Sequence, residues 1–239
     1  MWKQVRTYMR QFPLPSALRW IAADATRKVF DGHSTPSYGQ TGEDRLIESI
    51  VGSGPGFFVD VGCNEPVRDS NTFRLYKRGW HGITIDANRE LVDGHRKLRK
   101  KDTQVCAALS DVETEMVFTE FADSCVSSLD ADHVAEWAKQ RAIVARRVVR
   151  TQTLTNVLAR CNAPNRFDLL SVDVEGHDLN VLRSLDFELF RPRLVVVEMH
   201  GFDIEKPSDN EVYRHLLSNG YRMIGFAVMN GFFEDRRAA

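Results

Sequence analysis

The stretch "FFVDVGCNEPVRDSNTFRLYKRGWHGITIDAN" (57–88) decides the fold. It opens with an apolar run of strand length that ends in Gly62, and it closes with a second such run at 80–88. Between them, Phe73, Tyr76 and Lys77 recur at helical spacing behind Ser70 or Asn71 as an N-cap. Strand, helix and strand in this order predict a parallel sheet covered by helices.

The alternation continues downstream. A basic helix is expected over 89–101, a third strand over 103–111, an irregular stretch with its own strand at 116–122, and a helix over 151–161. The stretch "RFDLLSVDVEG" (166–176) reads as a strand buried on both faces, because Leu169, Leu170, Val172 and Val174 leave few polar positions. The pattern repeats at 191–201. A helix over 208–220 opens with a capping box from Ser208 to Glu211 and stops at Gly220. Asn230-Gly231, between two apolar runs, predicts a closing antiparallel hairpin turning at that dipeptide.

At 239 residues the chain suits one α/β domain, expected over 38–239. Residues 1–37 read as an N-terminal helical extension that mixes Trp2, Tyr8, Phe12, Trp20 and Phe30 with basic residues and is interrupted by Pro13 and Pro15. The extension cannot span a bilayer and is expected to pack on the domain, with peripheral membrane contact as the competing expectation. The 32 basic and 33 acidic residues leave a net charge of −1, so no nucleic-acid partner is expected. Runs such as "HRKLRKK" (95–101) and Arg146, Arg147 and Arg150 read first as solvated faces, although a phosphorylated sugar would engage such residues. Cys63, Cys106, Cys125 and Cys161 lack zinc spacing. With no signal-like leader, they are expected as free thiols in a reducing cytoplasm.

In an open α/β sheet the chemistry sits beyond the carboxyl ends of the strands. Gly62 allows close backbone approach to a ligand. A GxGxxG fingerprint is absent, which disfavours a dinucleotide pyrophosphate. A nucleoside without phosphate, such as S-adenosylmethionine, needs only the close approach. Asp86, at the next strand end, is placed to accept both ribose hydroxyls.

These residues resemble the FkbM-type S-adenosylmethionine-dependent methyltransferases. The likeness runs through ordered blocks: "GQTGEDRLI" (39–47), the 57–88 stretch, "AALSD" (107–111), "TLTNVL" (153–158), "FDLLSVDVEGHDLNVLRSLDF" (167–187) and "RPRLVVVEMHG" (191–201). It implies a Rossmann-like class I methyltransferase fold, α/β, with a mostly parallel sheet and a C-terminal antiparallel hairpin. It also implies a donor site around Asp60, Gly62, Asn64 and Asp86, with Ser110 and Asp111 near the adenine and Gln40, Glu43 and Asp44 as contacts closing over the donor. Thr41 to Asp44 reads equally as an ordinary capping box.

The acids of "LLSVDVEGHD" (169–178) then face the reacting methyl group. A strand's period of two sends Asp173 and Glu175 to one side, and Glu198 and His200 end the neighbouring strand at the same spacing. Methyl transfer to a hydroxyl needs alignment and a base, for which His200 or Glu175 is expected, with Asp173 beside the donor and His177 as the second choice. Asp178 reads as a helix N-terminal stabiliser. A divalent ion on Asp173, Glu198 and His200 is the metal-assisted alternative, and oxygen-rich ligands favour magnesium or manganese. The resulting expectation is a cytoplasmic O-methyltransferase acting on a sugar hydroxyl of a glycan, glycolipid or glycosylated natural product. A metal-dependent phosphoesterase-like hydrolase and a noncatalytic partner subunit are the alternatives.

Overall fold

The computed structural model describes residues 2–30, 36–52 and 54–238. In chain order its elements are α1 (Trp2–Gln11), α2 (Leu14–Phe30), α3 (Glu43–Val51), β1 (Phe57–Val61), α4 (Phe73–Lys77), β2 (His81–Asp86), α5 (Arg89–Leu98), β3 (Thr103–Cys106), β4 (Ala108–Leu109) and β5 (Glu115–Phe121). They continue with α6 (Ala131–Trp137), β6 (Ile143–Gln152), α7 (Leu154–Arg160), β7 (Arg166–Val172), α8 (Asp178–Arg183), β8 (Arg191–Glu198), α9 (Glu211–Ser218), β9 (Tyr221–Ala227) and β10 (Asn230–Asp235).

Seven strands form the main sheet in the order β3-β2-β1-β7-β8-β10-β9. Pairings from β3 to β8 are parallel, and β10 runs antiparallel to both of its neighbours. This is the expected α/β architecture with its closing hairpin. Alternate residues of β7 enter opposite faces: Leu170 and Val172 pack with Val59 and Ile85, and Leu169 packs with Phe58, Leu194 and Val196. Both faces are covered, which is why this strand reads as an almost unbroken apolar run.

Several local readings are corrected. The third strand stops at Cys106, and Ala108–Leu109 turn away to pair with β6 in a second sheet of order β4-β6-β5. The β6 strand itself was not expected, because most of "IVARRVVR" (143–150) faces solvent and shows no apolar stripe. The following helix therefore starts at Leu154, capped by Thr153, whose Oγ1 accepts from Asn156 N–H at 3.2 Å. Helix α9 is capped by Asn210, accepting from Tyr213 N–H at 3.1 Å, while Ser208 lies in the preceding 3-10 turn. The hairpin turns at Val228-Met229, with Val228 at φ 57°, not at Asn230-Gly231. Gly231 is needed for packing instead, since a Cβ there would lie 2.4 Å from Met199 Sδ.

The two N-terminal helices lie against α4. The Phe12 ring meets Phe73 and Tyr76 edge-on at 5.9 and 5.2 Å, and Lys77 Nζ sits 4.7 Å from the Trp20 ring. The Gln11 side chain donates to the carbonyls of Tyr76 and Trp80 at 3.0 and 2.7 Å. No helix among the described residues is long and apolar enough to cross a membrane.

Candidate active site

The order of strand addition switches between the parallel neighbours β1 and β7, so the loops leaving these two strands part and open a cleft. Gly62 and Asp173 flank its base. Gly62 N–H donates to Ile85 O at 2.9 Å, and Asp173 N–H donates to Val61 O at 3.0 Å. Val61, Ile85, Leu91, Leu109 and Phe118 form apolar walls, and Gln40, Asn71, Asp86 and Asn230 add polar groups.

The Asp86 carboxylate accepts from the backbone N–H of Asn64 at 3.0 Å and of Asn88 at 2.8 Å, one per oxygen. Each oxygen keeps a lone-pair direction for a hydroxyl donor. Burial still pushes this carboxyl up to about 6. Asn64, at φ 44°, lines the cleft, with Oδ1 accepting from Ser124 Oγ at 2.9 Å and Nδ2 2.9 Å from Cys125 Sγ. Gln40 and Glu43 also line it. The Glu43 carboxylate accepts from Thr41 N–H at 2.9 Å and from Asn230 Nδ2 at 3.3 Å. Gly42 holds the N-cap of α3 without a side-chain cap, so Thr41 is not the capping residue. Asp44 accepts from Ser37 Oγ at 2.5 Å and Tyr38 N–H at 2.8 Å, a structural clasp outside the cleft lining.

Three residues that the resemblance had pointed to stand behind the wall. Asp60 is buried and accepts from Thr72 Oγ1, which itself accepts from Arg99 at 2.9 Å. Burial raises its pKa and Arg99 opposes the shift. Ser110 Oγ lies 2.9 Å from His177 Nε2, and Asp111 accepts from Asn180 Nδ2 at 3.1 Å. They buttress the loop after β7 and do not line the cleft.

Asp173, Glu175 and Glu198 converge, with one carboxylate oxygen from each within 4.8 Å of the others. Strand alternation is not the cause, because β7 ends at Val172 and Glu175 sits in the left-handed region at φ 56°. The turn is held by Asp178, which accepts from Val174 N–H at 3.0 Å and Gly176 N–H at 3.1 Å, and by Ser128 Oγ, which donates to Glu175 O at 2.6 Å. Burial and the neighbouring Glu198 charge push Asp173 well above the usual carboxylate range and Glu175 up to about 8. His200 Nε2 lies 3.0 Å from Glu198 Oε2, and this pairing raises the imidazole to about 9. His200 is therefore a cation at neutral pH in the free protein, a donor without the lone pair that a base needs. His177 is shifted downward by burial.

A second hollow opens on the far side of this cluster, lined by Asp178, Glu198, His200, Asp203, Lys206 and Asn210 among others. The acids thus form a wall between two spaces. Phe118, Ser124, Cys125, Ser127, Ser128 and Leu129, and separately Asn230, are walls of the donor cleft that sequence reasoning missed. The former carry no motif, and Asn230 was absorbed into the hairpin signal. His133, on α6, also went unnoticed. Its Nε2 lies 3.4 Å from Glu175 Oε2.

The cleft fits S-adenosylmethionine in its donor set. Asp86 suits the ribose, the apolar walls suit the adenine, and the acids at the base suit a sulfonium. The buried Asn230 Oδ1 has no hydrogen-bond partner and awaits a donor.

No curated protein matches the chain. Among solved structures it is similar to a TehB-like S-adenosylmethionine-dependent methyltransferase from Corynebacterium glutamicum, with 14% identity, 92% of this chain and 100% of that chain covered, and a TM-score of 0.39. It is also similar to an O-methyltransferase from Bacillus cereus in complex with S-adenosylhomocysteine, with 11% identity, 92% and 90% coverage, and a TM-score of 0.42. The family model of the methyltransferase FkbM domain matches residues 60–223, from the end of β1 to the start of β9. The chain belongs to the FkbM methyltransferase family, whose methyl donor is S-adenosylmethionine.

Proposed function

We propose that this methyltransferase transfers its methyl group to a hydroxyl oxygen of a sugar. One observation carries the reading: Asp173 and Glu175 line the donor cleft, and Glu198 and His200, which meet them, line an adjoining hollow dense in carboxylates, so the two spaces come together at this cluster. Carboxylates accept from hydroxyls, and Lys206 and Asn210 add donors, so the hollow suits a polyol better than an apolar acceptor.

The donor supplies an electrophilic methyl carried on a sulfonium. A sulfonium in the donor cleft favours the ionised form of Asp173, which faces it, and that carboxylate offsets the positive charge. The acceptor oxygen forms the new C–O bond while the C–S pair stays on sulfur. The hydroxyl proton passes to Glu198, whose carboxylate lines the acceptor side. Glu198 takes this role ahead of Glu175 because it lines the acceptor hollow while Glu175 lines the donor cleft, and ahead of His200 because the pairing with Glu198 favours the protonated imidazole. His200 orients the Glu198 carboxylate from 3.0 Å. The four cysteines are unpaired, which supports a cytoplasmic enzyme.

The test combines calorimetry with S-adenosylhomocysteine and a screen of labelled S-adenosylmethionine against free, nucleotide-linked and lipid-linked sugars. Methyl label appearing as an ether on a sugar supports the reading. Label appearing only on amines or carbons would overturn it.

A further inference from the structure

Helix α6 is capped by Asp130, which accepts from His133 N–H at 2.8 Å and fixes the first turn. The His133 side chain is 8% exposed, and its Nε2 is buried without a hydrogen-bond partner. That atom faces Glu175 Oε2 across 3.4 Å, longer than a good charge-assisted hydrogen bond. The His133 and His200 rings have their centroids 5.7 Å apart, with Glu175 reaching both. One ligand atom from each of His133, Glu175 and His200 lies within 4.8 Å of the other two.

We infer that His133, Glu175 and His200 form a binding site for a divalent first-row transition cation. Bonds of about 2.1 Å to nitrogen or oxygen place neighbouring ligand atoms about 3–3.4 Å apart, so side-chain movements of about an ångström close the set. An unpartnered imidazole nitrogen held inside the protein is costly unless something takes its lone pair. A cation does so, displacing the protons that Glu175 and His200 carry in the metal-free protein, and the Glu175 carboxylate faces the same point from its left-handed turn. Two imidazoles and one carboxylate suit manganese, iron or zinc better than magnesium or calcium. This ligand set differs from the expected Asp173, Glu198 and His200 by bringing in a histidine from a separate helix. The role of the ion rests on the proposed transfer to oxygen: lying between the two spaces, it would polarise the acceptor hydroxyl.

Chelator-stripped protein is titrated with Mn2+ by electron paramagnetic resonance, and S-adenosylhomocysteine binding is measured in parallel by calorimetry. The expected result is one Mn2+ per chain, with a nitrogen coupling in the spin-echo spectrum that 15N-histidine labelling alters. His133→Ala and His133→Asn should each weaken Mn2+ about tenfold or more. Both should still bind S-adenosylhomocysteine, because His133 is not part of the donor cleft lining. Wild-type protein that binds S-adenosylhomocysteine but takes up no stoichiometric Mn2+ would overturn the inference. Mn2+ affinity unchanged in folded His133 variants would do the same. Mn2+ uptake through histidine without any binding of S-adenosylhomocysteine would support the cation site and sink the methyl-transfer reading.

Discussion

The carbonyl oxygen of Asp173 occupies the space where Gly62 would carry a side chain, 1.7 Å from the position of an ideal Cβ. Gly62 also sits at φ 73°, a conformation L side chains rarely adopt. The glycine at the end of β1 thus lets two strand ends meet, which sets the base of the donor cleft. Gly62→Ala should force the β1 and β7 loops apart and cost at least about 1–3 kcal/mol in strain. Thermal unfolding and S-adenosylhomocysteine calorimetry on this variant should show both a lower melting temperature and lost donor affinity. Donor binding at the wild-type level would refute the account.

Arg99 is fully buried, with Nε donating to Asp102 at 2.8 Å and Nη2 donating to Thr72 at 2.9 Å. Thr72 passes the contact on to Asp60, and the guanidinium lies 5.2 and 5.0 Å from the Phe58 and Tyr76 ring centroids. Arg99→Met would leave two buried carboxyls without their cation and should destabilise the protein by about 3–5 kcal/mol. Urea denaturation measures this loss. Donor affinity of the folded protein at low temperature should change little, because neither Arg99 nor Asp60 lines the cleft.

Glu198→Gln keeps the shape of the wall and removes the proposed proton acceptor. Turnover should fall by about 10²–10⁴, the usual contribution of a positioned base. Calorimetry should find S-adenosylhomocysteine affinity unchanged, because Glu198 faces the acceptor hollow. Full turnover in this variant would move the proton to another group.

His95 is fully buried, with Nε2 3.0 Å from the carbonyl of Asn64, and burial together with nearby Arg99 lowers its pKa to about 3. An unfolded histidine titrates near 6.5. Below that pH the unfolded chain takes up a proton that the native state refuses. The stability tied to His95 is therefore complete above pH 6.5 and is lost as pH falls toward 3, at about 1.4 kcal/mol per pH unit inside the window. The raised carboxyls, Asp86 and Glu175 among them, contribute slopes of the opposite sign in this window, so denaturant titrations between pH 7 and 4 are compared between wild type and His95→Gln, whose slopes should differ by this amount. An unchanged slope in the variant would contradict the assignment.

Local pattern was enough to read β1, β2, β7 and β8, because apolar runs report burial on both faces whatever their partners turn out to be. It also brought Gly62, Asn64 and Asp86 to adjacent strand ends, since chain order alone places them there. The small sheet escaped it, because β6 is largely exposed and its arginines resemble a solvated loop. The true hairpin turn escaped as well, because Gly231 is required by Met199 and Phe233, residues that local sequence cannot bring near. The same limit hid the division between Asp60, held behind the wall, and Glu175, turned into it by a left-handed residue and a hydrogen bond from Ser128. His133 and Glu175 are 42 positions apart and meet only because α6 packs over the loop that follows β7. Periodicity along the chain records what each segment buries. Which side chains share a space is decided when separate segments cross, and in this protein that crossing assembles the acids, the imidazoles and the two hollows they divide.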